Sequence, residues 1–490
     1  MTSDANNSDR AEIHTDESKP KPKHTTREII STKLERAKKI VTVEPLIALY
    51  QMAQFLSKPA LDNLEFEKSC RVNLNYSDLI CRTILSGRHE NFSSQNDEIQ
   101  ILISNMHSWQ QPVQSFMPLL LVLFLGSYSD RHRWRKPFLL LPVLGELFGG
   151  LGCILSVVYM KLWPLEAQGI SQKIIPSLFG GQTMLVMATT SYIADVSSVE
   201  MRTLRLGIVQ IVLSVCNPTV SMFSGILFKE IGYIGILAIS VTLNFTAFIY
   251  GLCWIKEFST KEERSAKSFL ADIFDPSHAI DTFKLLFKKT PGNNRTHIIL
   301  LITVIFIYRG TFDGETSVLY LYTQNVFNWT PVEYSYFVTV NGLVHLMGNA
   351  VGVPVFTKIL NLSDLMIIFI TVINKIITNE FFLSLLTRVF KVAKKSIITK
   401  VVSKDDIGKA QSLLGICETL APAASVPIYN QLVYINTLAV YPAAFFFFSI
   451  IFYTICSCLI LWMYCKEYKK LAQSNVTVKN SEDIIETIHL

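Results

Sequence analysis

The stretch Gly126–Lys136 reads GSYSDRHRWRK and follows directly on the apolar run MPLLLVLFL at 117–125. A soluble helix has no reason to pass from that run into Gly126 and Asp130, then Arg131, Arg133, Arg135 and Lys136. A helix leaving a hydrocarbon layer does, because basic residues hold a short turn at the inner, cytoplasmic membrane surface. A second apolar run begins at Pro137. The stretch is therefore a tight connection between two membrane spans.

Working outward, apolar spans fall at roughly 44–61, 113–128, 137–160, 174–194, 205–228 and 232–255. After a polar break they resume at roughly 297–322, 335–359, 365–378, 381–402, 411–435 and 438–464. The composition agrees: of 490 residues 50% are hydrophobic and 17% charged, where soluble proteins carry about a quarter charged. A net charge of +6 would suit nucleic acid, but the cations sit between apolar runs, so no nucleic-acid partner is expected. The lipid bilayer is.

Five parts follow: a disordered cytoplasmic arm (1–42), a first six-helix bundle (43–255), a linker with an amphipathic helix (256–296), a second bundle (297–465) and a cytoplasmic tail (466–490). Lys33, Arg36, Lys38 and Lys39 precede the first span, eight Lys or Arg fill 256–296, and Lys466, Lys469 and Lys470 open the tail. Alternating helices place all of these on one side, with both termini cytoplasmic. The loop 62–100 faces the other way. Its acids (Asp62, Glu65, Glu67, Asp78, Glu90, Asp97, Glu98) outnumber its cations, and it carries sequons at Asn75 and Asn91, which are glycosylated only on an outer or lumenal face. Cys70 and Cys81 share this loop and pair if its compartment is oxidising. The remaining cysteines lie in or beside apolar runs and read as packing residues. No metal spacing, phosphate loop or nucleophile triad occurs, so neither an enzyme nor a cofactor is expected.

Two sixes of spans joined by a charged loop resemble the major facilitator superfamily. Gly126, Asp130, Arg131, Arg135 and Lys136 match its loop motif, with Arg133 in place of the second Gly. The resemblance implies an all-α polytopic fold of two pseudo-symmetric six-helix bundles, and a gating role for the motif, its cations pairing across the domain interface. The stretches SYIADVSSVEMRTLRLGI (191–208), IFDPSHAIDTFKLLFKK (273–289) and SKDDIGKAQSLLGICETLAP (403–422) are similar to solute carrier family 46, the proton-coupled folate transporter family. GETSVLYLYTQNVFNW (314–329) resembles its arthropod members. The resemblance places Asp195, Arg202 and Arg205 in the loop after the fourth helix and implies an Asp195–Arg135 pair. Against the folate branch, Gln210 stands where that branch has a proton-coupling Glu. Phe312 stands for its seventh-helix His, Lys395 for its tenth-helix Arg, and Asn328 for a loop Cys. Folate itself is thereby disfavoured.

Ionisable side chains within spans are costly and mark function by default. Arg309 lies mid-way along the seventh span and is expected to bind an anionic solute or to pair with Asp313 or Glu315. LGIVQ at 206–210 and LGICE at 414–418 repeat at the starts of the fifth and eleventh spans, which makes Gln210 and Glu418 pseudo-equivalent and Glu418 the expected proton carrier. Glu146 lies among Gly145, Gly149 and Gly150, where a packing or gate contact is favoured.

Helices nine and ten are short. A 15-residue apolar stretch reaches about 22 Å against a hydrocarbon core of about 30 Å. Either the hairpin near Asn379–Glu380 is shortened or an exon is missing. The expected function is secondary active transport of a small organic solute, with anions favoured. It is coupled to protons and works by alternating access in the plasma or an endolysosomal membrane. The alternative is a transport-inactive paralogue acting as a membrane sensor or scaffold.

Overall fold

The structure is a computed structural model that describes residues 42–88, 92–132, 134–197, 199–257, 294–352, 354–378, 390, 393 and 407–488. Those residues are helical with short connections, and no strand occurs among them. The first half comprises α1 (Glu44–Lys68), the short α2 (Asp78–Leu85), α3 (Ser93–His132) and α4 (Lys136–Val158). A broken segment follows, made of α5 (Leu165–Gly169), a π-helical turn (Ile170–Ile174), α6 (Ile175–Leu178) and α7 (Gly181–Val196). Last comes α8 (Val199–Trp254). The second half comprises α9 (Asn294–Phe327), α10 (Pro331–Met347), α11 (Asp364–Thr378), α12 (Ile407–Pro427) with its π-helical extension Ile428–Ile435, and α13 (Ala444–Ile488). The arm before Thr42, the amphipathic linker helix and nearly all of the tenth span lie outside the described residues.

Three segments are long and apolar enough to cross a membrane by length and composition: Lys136–Val158, Arg205–Trp254 and Ala444–Lys466. The second spans 50 residues, enough for two crossings at 1.5 Å per residue. It breaks at Gly232, whose φ of 68° favours glycine. Helices such as α1 and α9 are less apolar for a reason that packing makes plain: Gln51, Lys58 and Asp62, or Arg309 and Asp313, interrupt them on one side.

The packing repeats itself between halves. α1 packs on α8 in the first half as α9 packs on α12 in the second. Between halves, α3 packs on α12 as α10 packs on α8. In span order these are one with the helix carrying five and six, and seven–eleven, then two–eleven and eight–five, relations that a twofold between two six-helix units produces. Small residues permit the close approaches: the rings of Tyr429 and Pro218 lie against Gly314 and Gly342, and Gly225 lies against Ser335 and Val332.

Two expected boundaries shift. The first span does not stop at 61, because α1 runs through Pro59 to Lys68 and a π-helical turn carries it to Asn73. The second begins well before 113, since α3 starts at Ser93. Asp62, Glu65 and Glu67 are thus helical, not loop, residues. Cys70 and Cys81 are joined by a disulfide, which ties the end of α1 to α2. Beside it Tyr76 donates a hydrogen bond to Glu98, and that bond, with partial burial, raises the phenol to about 12.

The core is divided unevenly. At the disulfide end one apolar cluster holds residues of both halves, among them Phe66, Ile99 and Ile103 with Tyr320, Tyr434 and Phe445. Toward the charged turn each half has its own. Val43, Ile47, Phe138 and Ile193 gather in the first half, while Leu301, Ile305, Ile368 and Met463 gather in the second. Phe390 and Ala393, from the predicted tenth span, belong to this last cluster, and Tyr308 stacks on Phe390 at 3.8 Å between centroids.

Candidate functional site: a charged cavity between the two halves

A cavity of about 250 Å³ lies between the halves. Three helical stripes form most of its wall. Lys58, Asp62 and Glu65 come from α1; His107, Gln110, Gln111 and Gln114 from α3; Arg309, Asp313, Thr316, Ser317 and Tyr320 from α9. Each stripe steps by three or four residues, so each occupies one face of its helix. Gln172 and Lys173 enter from the π-helical turn, and Tyr334 from α10. Such turns recur at functional sites because the extra residue redirects side chains.

Most charges in the wall are paired. Lys58 Nζ lies 2.8 Å from Asp62 Oδ2, His107 Nε2 lies 2.9 Å from Glu65 Oε2, and Arg309 Nε lies 2.6 Å from Asp313 Oδ2. Lys173 differs. It feels the charges of Lys58, Asp62, Glu65 and Glu146, yet its ammonium makes no hydrogen bond or ion pair to a described residue. An ammonium so placed, with amide and hydroxyl side chains around it, offers an anion a counter-charge and its polar groups hydrogen bonds.

Toward the disulfide end the cavity is roofed by bonds between halves. Gln100 Nε2 donates to Gln324 Oε1 at 2.8 Å, Tyr434 OH donates to Gln100 Oε1 at 2.6 Å, and Asn96 Nδ2 donates to Asn325 Oδ1 at 3.0 Å. With the shared apolar cluster, this roof closes that end. Asn328, at φ 57°, turns its carbonyl against Gly87. The loops carrying Gly87 and Asn328 meet here through backbone.

The residues singled out from the sequence separate into groups. Arg309 and Asp313 line the cavity. Glu315 does not, being fully buried with Nζ of Lys375 at 3.4 Å and the Tyr453 hydroxyl donating at 3.3 Å. Six residues beyond Arg309, it lies around the helix from the cavity face. Phe312 stands between the two cations, with Arg309 5.8 Å and Lys375 5.4 Å from its ring centre. Glu146 lies outside the lining and accepts from Tyr50 OH at 3.1 Å. Gln210 is exposed and Glu418 half-buried, and neither lines the cavity. Their neighbours Gly207 and Gly415 both face open space.

Around the charged turn the expected Asp195–Arg135 pair forms, and the described contacts lie within the first half and the start of the linker. Arg135 Nε bonds Asp195 Oδ2 at 2.7 Å, and Arg205 bonds Glu44 Oε1 at 3.2 Å and Ser197 Oγ at 3.1 Å. The backbone amides of Arg135 and Lys136 donate to Glu257 at 2.9 and 3.2 Å, while Lys136 Nζ donates to the Leu252 carbonyl at 2.6 Å. Asp195, Glu44, Ser197 and Leu252 belong to the first half, and Glu257 opens the linker. Glu257 reaches the open amides of the α4 N-terminus. The side chains of Asp130, Arg131 and Arg202, and Lys395 and Asn91 altogether, lie outside the described residues. Asn75 is exposed.

Lys58, Asp62, Glu65, His107 and Lys173 had not been singled out as site residues. The signal was present in the spacing 58, 62, 65 and 107, 110, 111, 114, which is helical although the composition reads as loop.

Residues 100–377 match the Major Facilitator Superfamily model. The chain belongs to the major facilitator superfamily. The relatives it resembles belong to solute carrier family 46. It is 25% identical over 456 residues to a lysosomal proton-coupled steroid conjugate and bile acid symporter of Gallus gallus, covering 88% of this chain and 95% of that protein. It is 24% identical over 434 residues to a probable peptidoglycan muropeptide transporter of Drosophila melanogaster, covering 83% and 82%. A proton-coupled folate transporter of Bos taurus is 25% identical over 285 residues, 57% of this chain and 58% of that one. Two solved structures share the fold: a human organic anion transporter (TM-score 0.56, 17% identity, 86% and 99% covered) and a D-xylose–proton symporter (TM-score 0.56, 13% identity, 89% and 97% covered). The major facilitator chain described here is therefore an integral membrane protein and a secondary transporter, not an enzyme.

Proposed function

We propose that this transporter moves a small organic anion together with protons by alternating access, and that the cavity between its halves is the carrier site. The observation that carries the reading is Lys173: a cavity-lining ammonium that makes no hydrogen bond or ion pair to a described residue, in a wall where Lys58, Arg309 and His107 each meet a carboxylate directly. The Arg309–Asp313 pair on the opposite half gives the solute a second polar anchor. A roof that is bonded across halves, above clusters that stay separate, supports an arrangement open toward the charged turn. Rocking the halves would then have to break the Gln100–Gln324–Tyr434 bonds to open the other side.

The disulfide and the exposed Asn75 sequon support placing that roof on the outer or lumenal face, with the charged turn and both termini cytoplasmic. Bile-acid and steroid-conjugate transport by a lysosomal relative makes an endolysosomal membrane the first to examine, with the plasma membrane second. The test is uptake by the purified full chain in proteoliposomes, with an imposed proton gradient and radiolabelled taurocholate, estrone 3-sulfate or folic acid. Saturable uptake of at least one above protein-free vesicles is the expected result. Uptake of none would remove the carrier reading and favour a sensor or scaffold.

A further inference from the structure

The sequence drew attention to Glu418 as the proton carrier, but Glu418 lies off the cavity wall. A different group has the required placement. Glu65 is 3% exposed as a residue, and its side chain meets the His107 ring at 2.9 Å. His107 retains 22% side-chain exposure, and both residues line the cavity. One partner comes from α1 and the other from α3, the helix that also contacts α12 of the second half.

We propose that the Glu65–His107 pair is the proton-binding site of the transport cycle, and that loading it prepares Lys173 for the anion. The proposal rests on the carrier reading above. With Glu65 a carboxylate, His107 Nε2 must carry the hydrogen it shares with Oε2, because a carboxylate only accepts. Nδ1 is then the basic nitrogen. It takes a proton from hydronium, one N–H bond forms, and water is released.

The charges around the pair show what this does. From its own helix Glu65 faces Lys58 and Asp62, from the π-helical turn Lys173, from α4 Cys153, and from α9 Tyr320. Arg309 and Asp313 complete the charged wall, and Tyr334 lines it from α10. Lys58, Lys173 and Arg309 are matched by Asp62, Glu65 and Asp313, so the wall is neutral while His107 is neutral. A proton on His107 satisfies Glu65 directly and leaves the wall with one positive charge in excess. Lys173 no longer serves to offset Glu65 and is available to an anion. Proton and anion thereby bind cooperatively, and by linkage each raises the affinity for the other by the same factor. Neither can be loaded alone without leaving an unbalanced charge in a half-buried site.

The experiment compares taurocholate affinity of the full chain in detergent at about pH 5.5 and about pH 7.5. In the wild type, affinity should rise roughly tenfold on acidification, within the usual range for two coupled ligands. His107→Gln keeps an N–H donor toward Glu65 but has no basic nitrogen. It should reduce that ratio to below about twofold and abolish the proton uptake that accompanies taurocholate binding, read by a pH indicator in weak buffer. Glu65→Gln should also flatten the profile, because its neutral amide no longer needs the proton. Glu418→Gln should leave the ratio intact. An unchanged ratio in His107→Gln, loss of all binding at both pH values in that variant, or a ratio lost in Glu418→Gln would each overturn the assignment. Failure of the wild type to bind or carry taurocholate, estrone 3-sulfate and folic acid alike would instead overturn the carrier reading on which it stands.

Discussion

Arg205 and Glu44 are each only 4% exposed at the side chain and lie 3.2 Å apart. A buried ion pair adds little net stability, but removing one partner strands a charge in a medium that solvates it poorly. Arg205→Met alone should destabilise the transporter by about 3–5 kcal/mol, read as a lower melting temperature in detergent. Arg205→Met with Glu44→Leu should recover most of the loss. At this scale the sequence was informative where an ion stood out against apolar neighbours. Arg309 and Asp313 are such a case, being four residues apart in the seventh span. It was uninformative where charges adjoined a polar loop. Lys58, Asp62 and Glu65 follow the apolar part of α1 and surround Pro59, so composition assigned the two acids to the loop. Only their helical phase distinguishes them. His107 was lost in the same way among the glutamines of α3.

Two connections between elements make sharper statements than any single side chain. The Cys70–Cys81 bridge closes a loop of 11 residues in sequence separation and fixes the end of α1 against α2. Non-reducing peptide mapping should recover the two cysteines in one linked species, and Cys70→Ser with Cys81→Ser should cost about 3 kcal/mol of stability. Intact free thiols at both positions would contradict the pairing. At the α8–α10 contact, a side chain added at Gly225 would meet the Val332 backbone at 2.9 Å, with Ser335 beside it. Backbone does not yield as a flexible side chain does, so Gly225→Leu should wedge the halves apart. The expected outcome is a folded protein whose uptake falls at least about tenfold, as misplacement by an ångström costs. Uptake equal to the wild type would show that this contact does not hold the halves. The breaks at Gly232 and after the charged turn were legible from sequence because apolar runs end there. The extensions of α1 and α3 were not, because helix continues into polar residues once a cavity, not lipid, lies on one face.

For the whole molecule, the uneven core is the main structural fact. One cluster joins the halves at the disulfide end, two separate clusters sit toward the charged turn, and a charged cavity lies between. The twofold relation of halves was legible from the count of spans and the repeat at 206–210 and 414–418. The position of the cavity was not, since it depends on which faces of α1, α3 and α9 converge. α11 covers 15 described residues, Asp364–Thr378, and Phe390 and Ala393 beyond it pack into the second half's core. The central claim is that Lys173 supplies the counter-charge for a carried anion. The most direct measurement is the concentration dependence of taurocholate uptake by wild type, Lys173→Gln and Lys173→Arg in proteoliposomes under the same proton gradient. The account predicts a KM raised about tenfold or more in Lys173→Gln, the magnitude of a lost charged hydrogen bond, and substantially restored in Lys173→Arg. An unchanged KM in Lys173→Gln would contradict it.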